Sequence, residues 1–275
     1  MAGEVMLLTG CASGIGLHLA GVLAGRGCRV VATDVDEAAL AGRARERRWD
    51  PARVLLRKLD VRRAEDWEAA LDAPEAAWGP ASVVMNIAGV LRPGYVRDLR
   101  PEDVELHFAV NVTGTVLGTR AAARRMAPRR SGHIINFGSL ASLAPVPGLS
   151  LYSASKFAVR GFSLAAALEL RPEGVAVTVI LPDAVQTPML DLQVDYEEAA
   201  LTFSGARALT VDDIARVVDR VLSRRPMEIA IPAARGLTAR VANSAPEVAR
   251  VLGPLLTRKG RQAQERIRSE KGRGR

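Results

Sequence analysis

Two cysteines, three tyrosines, three histidines and only four lysines are spread over 275 residues, and aromatic residues make up 4% of the chain. Cys11 and Cys28 lie in an expected loop and beside an expected strand, without metal-ligand spacing or a dense disulfide pattern. They read as free thiols in a reducing compartment. No apolar run reaches the roughly 18 to 20 residues needed to cross a bilayer. The opening MAGEVMLLTG also lacks a basic segment followed by an apolar one, so the expectation is a soluble, unexported, cytoplasmic protein. His18, His107 and His133 show neither metal spacing nor a nucleophile motif and are expected to be bystanders to any chemistry.

The net charge of +8 is unevenly placed. Residues 258–275 carry eight basic and two acidic side chains, which leaves the preceding 257 residues at only +2. No basic patch interleaves with aromatic side chains as a base-stacking surface requires, so nucleic acid is not an expected partner.

What is present is a rhythm. Short apolar runs (EVMLLT, RVVATD, RVLLRKLD, SVVMNIAG, HIINFGS, VAVTVILP, EIAIP) alternate with longer amphipathic stretches, near 14–26, 36–48, 63–78, 101–128, 152–170 and 211–223. Such alternation predicts parallel strands joined by crossover helices. The strands are almost continuously apolar, as expected for a sheet covered on both faces. The expected fold is α/β: a doubly wound, mostly parallel seven-stranded sheet flanked by helices, a Rossmann fold. It occupies residues 1–233 with a lid at about 183–208, and a basic extension, 234–275, follows it and is interrupted at Gly253-Pro254.

The first strand runs into TGCASGIG, Thr9 to Gly16, at the entrance of the first helix. Gly10, Gly14 and Gly16 allow a tight turn and close approach of a pyrophosphate, with Ser13 and Ile15 between them, where a helix N-terminus offers free N–H groups. Asp34 ends the second strand, where a carboxylate accepts hydrogen bonds from adenosine ribose hydroxyls and repels a 2′-phosphate. No Arg or Lys lies between Asp34 and Leu40. NAD is therefore expected over NADP; the competing role for Asp34 is to cap the second helix.

Tyr152 and Lys156 stand four residues apart on an expected helix, hence on one face. The chain otherwise takes Arg for its cations. A phenol titrates near 10 and becomes a useful acid and base only beside a positive charge; lowering it by about three units requires roughly 4 kcal/mol.

With Asp60-Val61, NIAG (Asn86 to Gly89), Asn111 and Ser139, these motifs occur in the order found in the short-chain dehydrogenase/reductases. Over about residues 4–232 the chain resembles that family in its single-domain form. The resemblance implies hydride transfer between nicotinamide C4 and a secondary alcohol or ketone. Tyr152 is then the acid and base, and Lys156 donates to the nicotinamide ribose and lowers the phenol pKa together with the nicotinamide. Ser139 holds the substrate oxygen, with Ser142 as competing candidate. Asn111 holds a water that links Lys156 to solvent, or else only repairs a distorted helix. The family pattern assigns Ile15 and Gly16 to pyrophosphate, Asp60 and Val61 to adenine, Asn86, Ala88 and Gly89 to the adenosine ribose and backbone approach, and Val185 and Thr187 to the carboxamide. It also implies a homodimer or homotetramer formed through the helices carrying Asn111 and Tyr152.

Two departures stand out: Asp183 where glycine is usual, and Ile87 where asparagine is common. Asp183 leaves the geometry and electrostatics of its loop open. Leu91, Leu140, Leu143, Val146, Leu149, Met189, Leu190, Leu192 and Phe203 are expected to wall the cleft, which favours an apolar or bulky substrate. The extension carries Leu237, Val241, Val248, Val251, Leu252, Leu255 and Leu256 ahead of its basic cluster. A solvated or oligomer-packing role is favoured for it over contact with an anionic membrane surface. The alternative function, a catalytically silent dinucleotide-binding regulator or scaffold, is disfavoured because Ser139, Tyr152 and Lys156 are all present.

Overall fold

The computed structural model describes residues 2–273, except for the side chains of Pro246, Val248, Ala249, Leu252 and residues 271–273. Val248 and Leu252, and the end of the basic cluster, therefore lie outside the described residues.

Seven strands form one parallel sheet: β1 (Val5–Leu8), β2 (Arg29–Asp34), β3 (Val54–Lys58), β4 (Val83–Asn86), β5 (Gly132–Phe137), β6 (Val175–Pro182) and β7 (Glu228–Ile231), in the order β3-β2-β1-β4-β5-β6-β7. The register pairs Leu7 with Val31 on one side and with Val84 on the other. Strand order reverses between β1 and β4, which opens a crevice at their carboxyl ends.

Both faces of the sheet are covered, and the side-chain period of two divides each strand between two cores. Met6 and Leu8 of β1 pack with α1 (Gly14–Gly25), α2 (Glu37–Glu46) and α8 (Val211–Arg224). Val5 and Leu7 pack instead with α3 (Ala64–Ala77), α5 (Gly114–Met126) and α6 (Ser150–Leu170). Met6, Leu7 and Leu8 are completely buried, and each such side chain contributes roughly 1.5–3 kcal/mol. This is why the strands read as unbroken apolar runs.

The expected helical region 101–128 is one rod with an irregular centre: α4 (Pro101–His107), a π-helical stretch (Phe108–Thr113) and α5. The lid contains α7 (Pro188–Gln193) and a 3-10 stretch, Glu197–Ser204.

The extension is α9 (Ala233–Ser244) followed by α10 (Pro246–Arg273). The expected break at Gly253-Pro254 does not occur; α10 continues through Pro254, carried by the Leu, Arg, Gln and Glu residues after it, all good helix formers. The extension does not project into solvent as an appendage. Gln264, 2% exposed, donates through Nε2 to the carbonyls of Gln193 and Tyr196, and Arg268 donates to that of Val194. A Cβ at Gly260 would lie 1.9 Å from the Ala200 carbonyl oxygen, so α10 rests directly on the lid backbone.

All three histidines have structural partners. His18 Nε2 meets Asp212 across α1 and α8, and His107 is held between the Asp103 carbonyl and the Arg92 N–H. His133 is buried against Thr178, whose hydroxyl donates to the Pro226 carbonyl, so the imidazole Nε2–H must donate. Burial lowers the His133 pKa to about 4 from 6.5. Between these values the unfolded chain binds the proton and the folded one does not, so His133 costs stability as pH falls through this window, in total about 3 kcal/mol. Denaturant midpoints measured from pH 7 to 4 should fall accordingly, and His133→Gln should flatten the decline whatever its effect at pH 7.

Candidate active site

The turn after β1 is built for close approach. Gly10 and Gly14 have φ of +70° and +55°, and a Cβ at Gly16 would lie 2.2 Å from the Gly10 carbonyl oxygen. Thr9 ties this turn to the end of β4, its hydroxyl accepting from the N–H groups of Ile87 and Ala88. Ser13, at the N-cap of α1, makes no side-chain cap, and the first turn holds no acidic residue. The leading N–H groups of a twelve-residue helix are thus left for an anion.

Asp34 lies beside this turn. Its Oδ2 accepts from the Ala12 N–H at 2.9 Å and its Oδ1 from Asp36 at 3.1 Å. The cap of α2 is Asp36, which accepts from Ala39. Asp34 is therefore not the helix cap, and its carboxylate stands at the carboxyl edge of the sheet. Asp60 is gripped by Arg62 in a bidentate pair that holds its pKa down. Val61 packs into the second core beneath Gly114.

The Asn86 side chain turns inward, donating to Asn136 at 2.7 Å within a buried cluster completed by Thr119 and Ser163. From this segment Ile87 and Gly89 border the cleft. A Cβ at Gly89 would sit 3.2 Å from Asn111 Oδ1 and 3.6 Å from Lys156 Nζ, so glycine gives both groups room.

Asn111 occupies the π-helical stretch, where a normal helix ladder is interrupted. Thr115 Oγ1 donates to its carbonyl at 2.7 Å. Its side chain does not repair its own helix. It clamps Val90, accepting from the N–H and donating to the carbonyl, and also donates to Ser155. Ser155 in turn donates to the Tyr152 carbonyl at 2.8 Å, so one continuous chain of bonds braces the turn of α6 that carries Tyr152.

On that turn Lys156 is 5% exposed, with Nζ donating to the Phe137 carbonyl at 2.8 Å and lying 5.6 Å from the centre of the Tyr152 ring. Burial lowers its pKa to about 8. The Tyr152 phenol is pushed up to about 12 by burial, with the Ser139 hydroxyl acting the other way. The expected lowering by Lys156 is not present in the protein alone, where the ammonium donates to the Phe137 carbonyl and lies over the face of the ring. Ser142 is fully buried and accepts from the Ser139 N–H, while Ser139 Oγ accepts from the Ala141 N–H and meets the Tyr152 phenol. Ser142 therefore shapes the turn, and Ser139 is the hydroxyl that faces Tyr152.

A cavity of about 1710 Å³ extends from these groups. Leu91, Leu140, Val146, Leu149, Met189 and Leu190 line it as expected. Leu143 and Phe203 do not: Leu143 fills the core against Val179 and Leu181, and Phe203 is 9% exposed. Leu192 likewise packs beside Leu149 and Ala199. Sequence reasoning missed the opposite wall, formed by Leu237 and Val241 of α9 and by α10, because no motif marks where those helices turn back.

Asp183 adopts an ordinary backbone conformation, so this loop has no need of glycine. Its side chain, 11% exposed, pairs at 2.5 Å with Arg235 of α9. Burial raises its pKa and Arg235 opposes that rise. The departure from the family pattern is thus answered by a cation from the extension. Among the described residues no cluster of His, Cys, Asp or Glu is arranged to hold a metal ion.

A cradle of glycines at the switch point of a parallel sheet, facing a buried Tyr-Lys pair, belongs to the single-domain class of dinucleotide-using dehydrogenases. The comparisons specify the class. The family model described as short chain dehydrogenase matches residues 4–197, and the chain belongs to this family. It is 38% identical over 189 residues to a 2,5-dichloro-2,5-cyclohexadiene-1,4-diol dehydrogenase of Sphingobium indicum, covering 69% of this chain and 76% of that enzyme. It is also 38% identical over 192 residues to a 3-alpha-(or 20-beta)-hydroxysteroid dehydrogenase of Mycobacterium tuberculosis, covering 70% and 72%. Its fold matches that of a short chain dehydrogenase/reductase from Burkholderia phymatum, crystallised in complex with NAD. The TM-score is 0.80 at 28% identity, covering 90% of this chain and 95% of the other.

Arg235→Ala should leave the Asp183 carboxylate buried without its cation and cost about 2 kcal/mol of stability, discounted for the partial exposure of the arginine. Asp183→Gly in the same chain should restore most of it, which thermal denaturation of both single variants and the double variant will measure.

Proposed function

We propose that the protein is an NAD-dependent oxidoreductase that interconverts a bulky, apolar secondary alcohol and its ketone. The observation that carries this is the meeting of Ser139, Tyr152 and Lys156 at one end of a largely apolar cavity, beside an uncapped helix N-terminus and the Asp34 carboxylate. The glycine cradle fits a pyrophosphate, because side chains at Gly10, Gly14 or Gly16 would strain or close the turn. NAD(H) supplies the hydride acceptor or donor.

The protein's own groups handle the proton. Ser139 donates to the substrate oxygen and holds it against the phenol. Tyr152 protonates that oxygen during ketone reduction and accepts the proton during alcohol oxidation. From a pKa of about 12, phenolate formation at pH 7 needs ~7 kcal/mol of help at 1.36 kcal/mol per unit. Lys156 gives part of this as an ammonium held under the ring. It spends one N–H on the Phe137 carbonyl, and its other two donors are kept for the cofactor ribose. A guanidinium is larger and planar and does not fit this buried niche, which explains a lysine in an arginine-rich chain. Asn111 keeps the adjoining turn rigid.

Asp34 favours NAD over NADP, since a 2′-phosphate placed there meets a carboxylate. Ala88 and Gly89 border the adenosine ribose, Ile15 and Gly16 the pyrophosphate, Asp60 and Val61 the adenine, and Val185 and Thr187 the carboxamide. Phe108, 39% exposed, and Leu168 on α6, 63% exposed, leave apolar surface on the helices expected to pair, which supports a dimer or tetramer.

Tyr152→Phe should lower turnover of a cyclic secondary alcohol or hydroxysteroid by about 10³-fold or more, while NADH binding stays within a few-fold. Asp34→Ala should weaken NADH binding about tenfold and narrow its preference over NADPH, read by fluorescence titration. Unchanged turnover in the first variant would exclude Tyr152 as the acid and base.

A further inference from the structure

At about 1710 Å³ the cavity exceeds the 300–1,000 Å³ usual for a small-molecule site. A nicotinamide bound as proposed would take up only the part near Gly89, Val185 and Thr187. The remainder runs past Ser139 and Tyr152 to a far wall that the catalytic fold itself does not provide. That wall is α9 and α10, positioned because α10 sits on the lid through Gly260, Gln264 and Arg268. Leu237, Val241 and Leu256 line it while remaining 44–62% exposed, so these large apolar side chains face space and not core.

The charges of this wall are one-sided. Among the described residues Asp183 is the only carboxylate in the lining, and Arg235 neutralises it. Arg250 is paired with Glu247. Arg258 and Arg261 also line the cavity, both exposed and without a partner among the described residues. A largely apolar lining that carries the reactive groups on β5 and α6 and two unpartnered guanidiniums on α10 suits a molecule with the same division.

We propose that the substrate is an amphipathic anion: a ketone or secondary alcohol on an apolar body, carrying at its far end a carboxylate, sulfate or phosphate that Arg258 and Arg261 receive. This rests on the dehydrogenase reading for the reactive end, but the anion site is testable without turnover. Guanidinium pairs near the surface are modest individually, and two acting together on one anion give about a tenfold preference.

The test uses 3-oxocholan-24-oate, a rigid steroid with a ketone at one end and a carboxylate at the other, and 12-oxooctadecanoate as a flexible counterpart. Each is compared with its methyl ester below micelle-forming concentrations. Binding to the NADH-loaded Tyr152→Phe protein, where turnover is blocked, should favour at least one anion over its ester about tenfold. The preference should shrink at 0.5 M salt and fall to within about twofold in the protein that also carries Arg258→Gln and Arg261→Gln. That pattern supports the anion site even if the wild-type protein reduces neither probe, an outcome that would count against the dehydrogenase reading alone. Equal or tighter binding of the esters, a preference that survives loss of both arginines, or no binding of either anion overturns the proposal.

Discussion

The site is organised around one buried ammonium. Lys156 lies on the face of α6 that packs against the sheet, and the Phe137 carbonyl at the end of β5 receives its Nζ. Taking a charge out of water is costly, and burial accordingly lowers its pKa to about 8. The surroundings follow from accommodating it. Gly89 cannot carry a side chain without crowding Asn111 Oδ1, Tyr152 stands one helical turn before Lys156, and the turn between them is fixed by Ser155 and Asn111. The interrupted helix at Phe108–Thr113 is the backbone form that delivers Asn111 to this network.

A second constraint comes from the far end of the chain. The family model matches residues 4–197, and the last strand of the sheet ends at Ile231. Here the added helices return to the site: Arg235 neutralises Asp183, and α10 lies on the lid. The Asp183 substitution and the extension are therefore parts of one arrangement, since a buried carboxylate in that loop depends on the cation that α9 brings. The lid gains contacts that α7 and its short neighbour could not make by themselves, and the cavity gains a wall with its own chemistry.

The sheet, its seven strands and its crossover helices were legible because hydrophobic runs and glycine turns are local signals. The grouping of Ser139, Tyr152 and Lys156 was legible because helix period and strand ends fix their placement. What escaped the sequence depends on contacts between distant residues. The inward turn of Asn86 follows from Asn136, Thr119 and Ser163, all distant in sequence and on three other elements. The choice of Ser139 over Ser142, and of Asp36 over Asp34 as a cap, is decided by side-chain direction within single turns. The docking of α10 rests on Gly260 and Gln264, residues that carry no signature in a helix rich in charge.

The central claim is that Tyr152 becomes a usable acid and base only when positive charge from both Lys156 and the cofactor acts on it. With three tyrosines in the chain, the phenol carbons can be labelled with ¹³C and the Tyr152 signal assigned by its loss in Tyr152→Phe. Titrating that signal with and without NAD+ tests the claim most directly. The account predicts a phenol that titrates above 10 in the protein alone and at least three units lower when NAD+ is bound. A Tyr152 pKa that NAD+ leaves unchanged would contradict it.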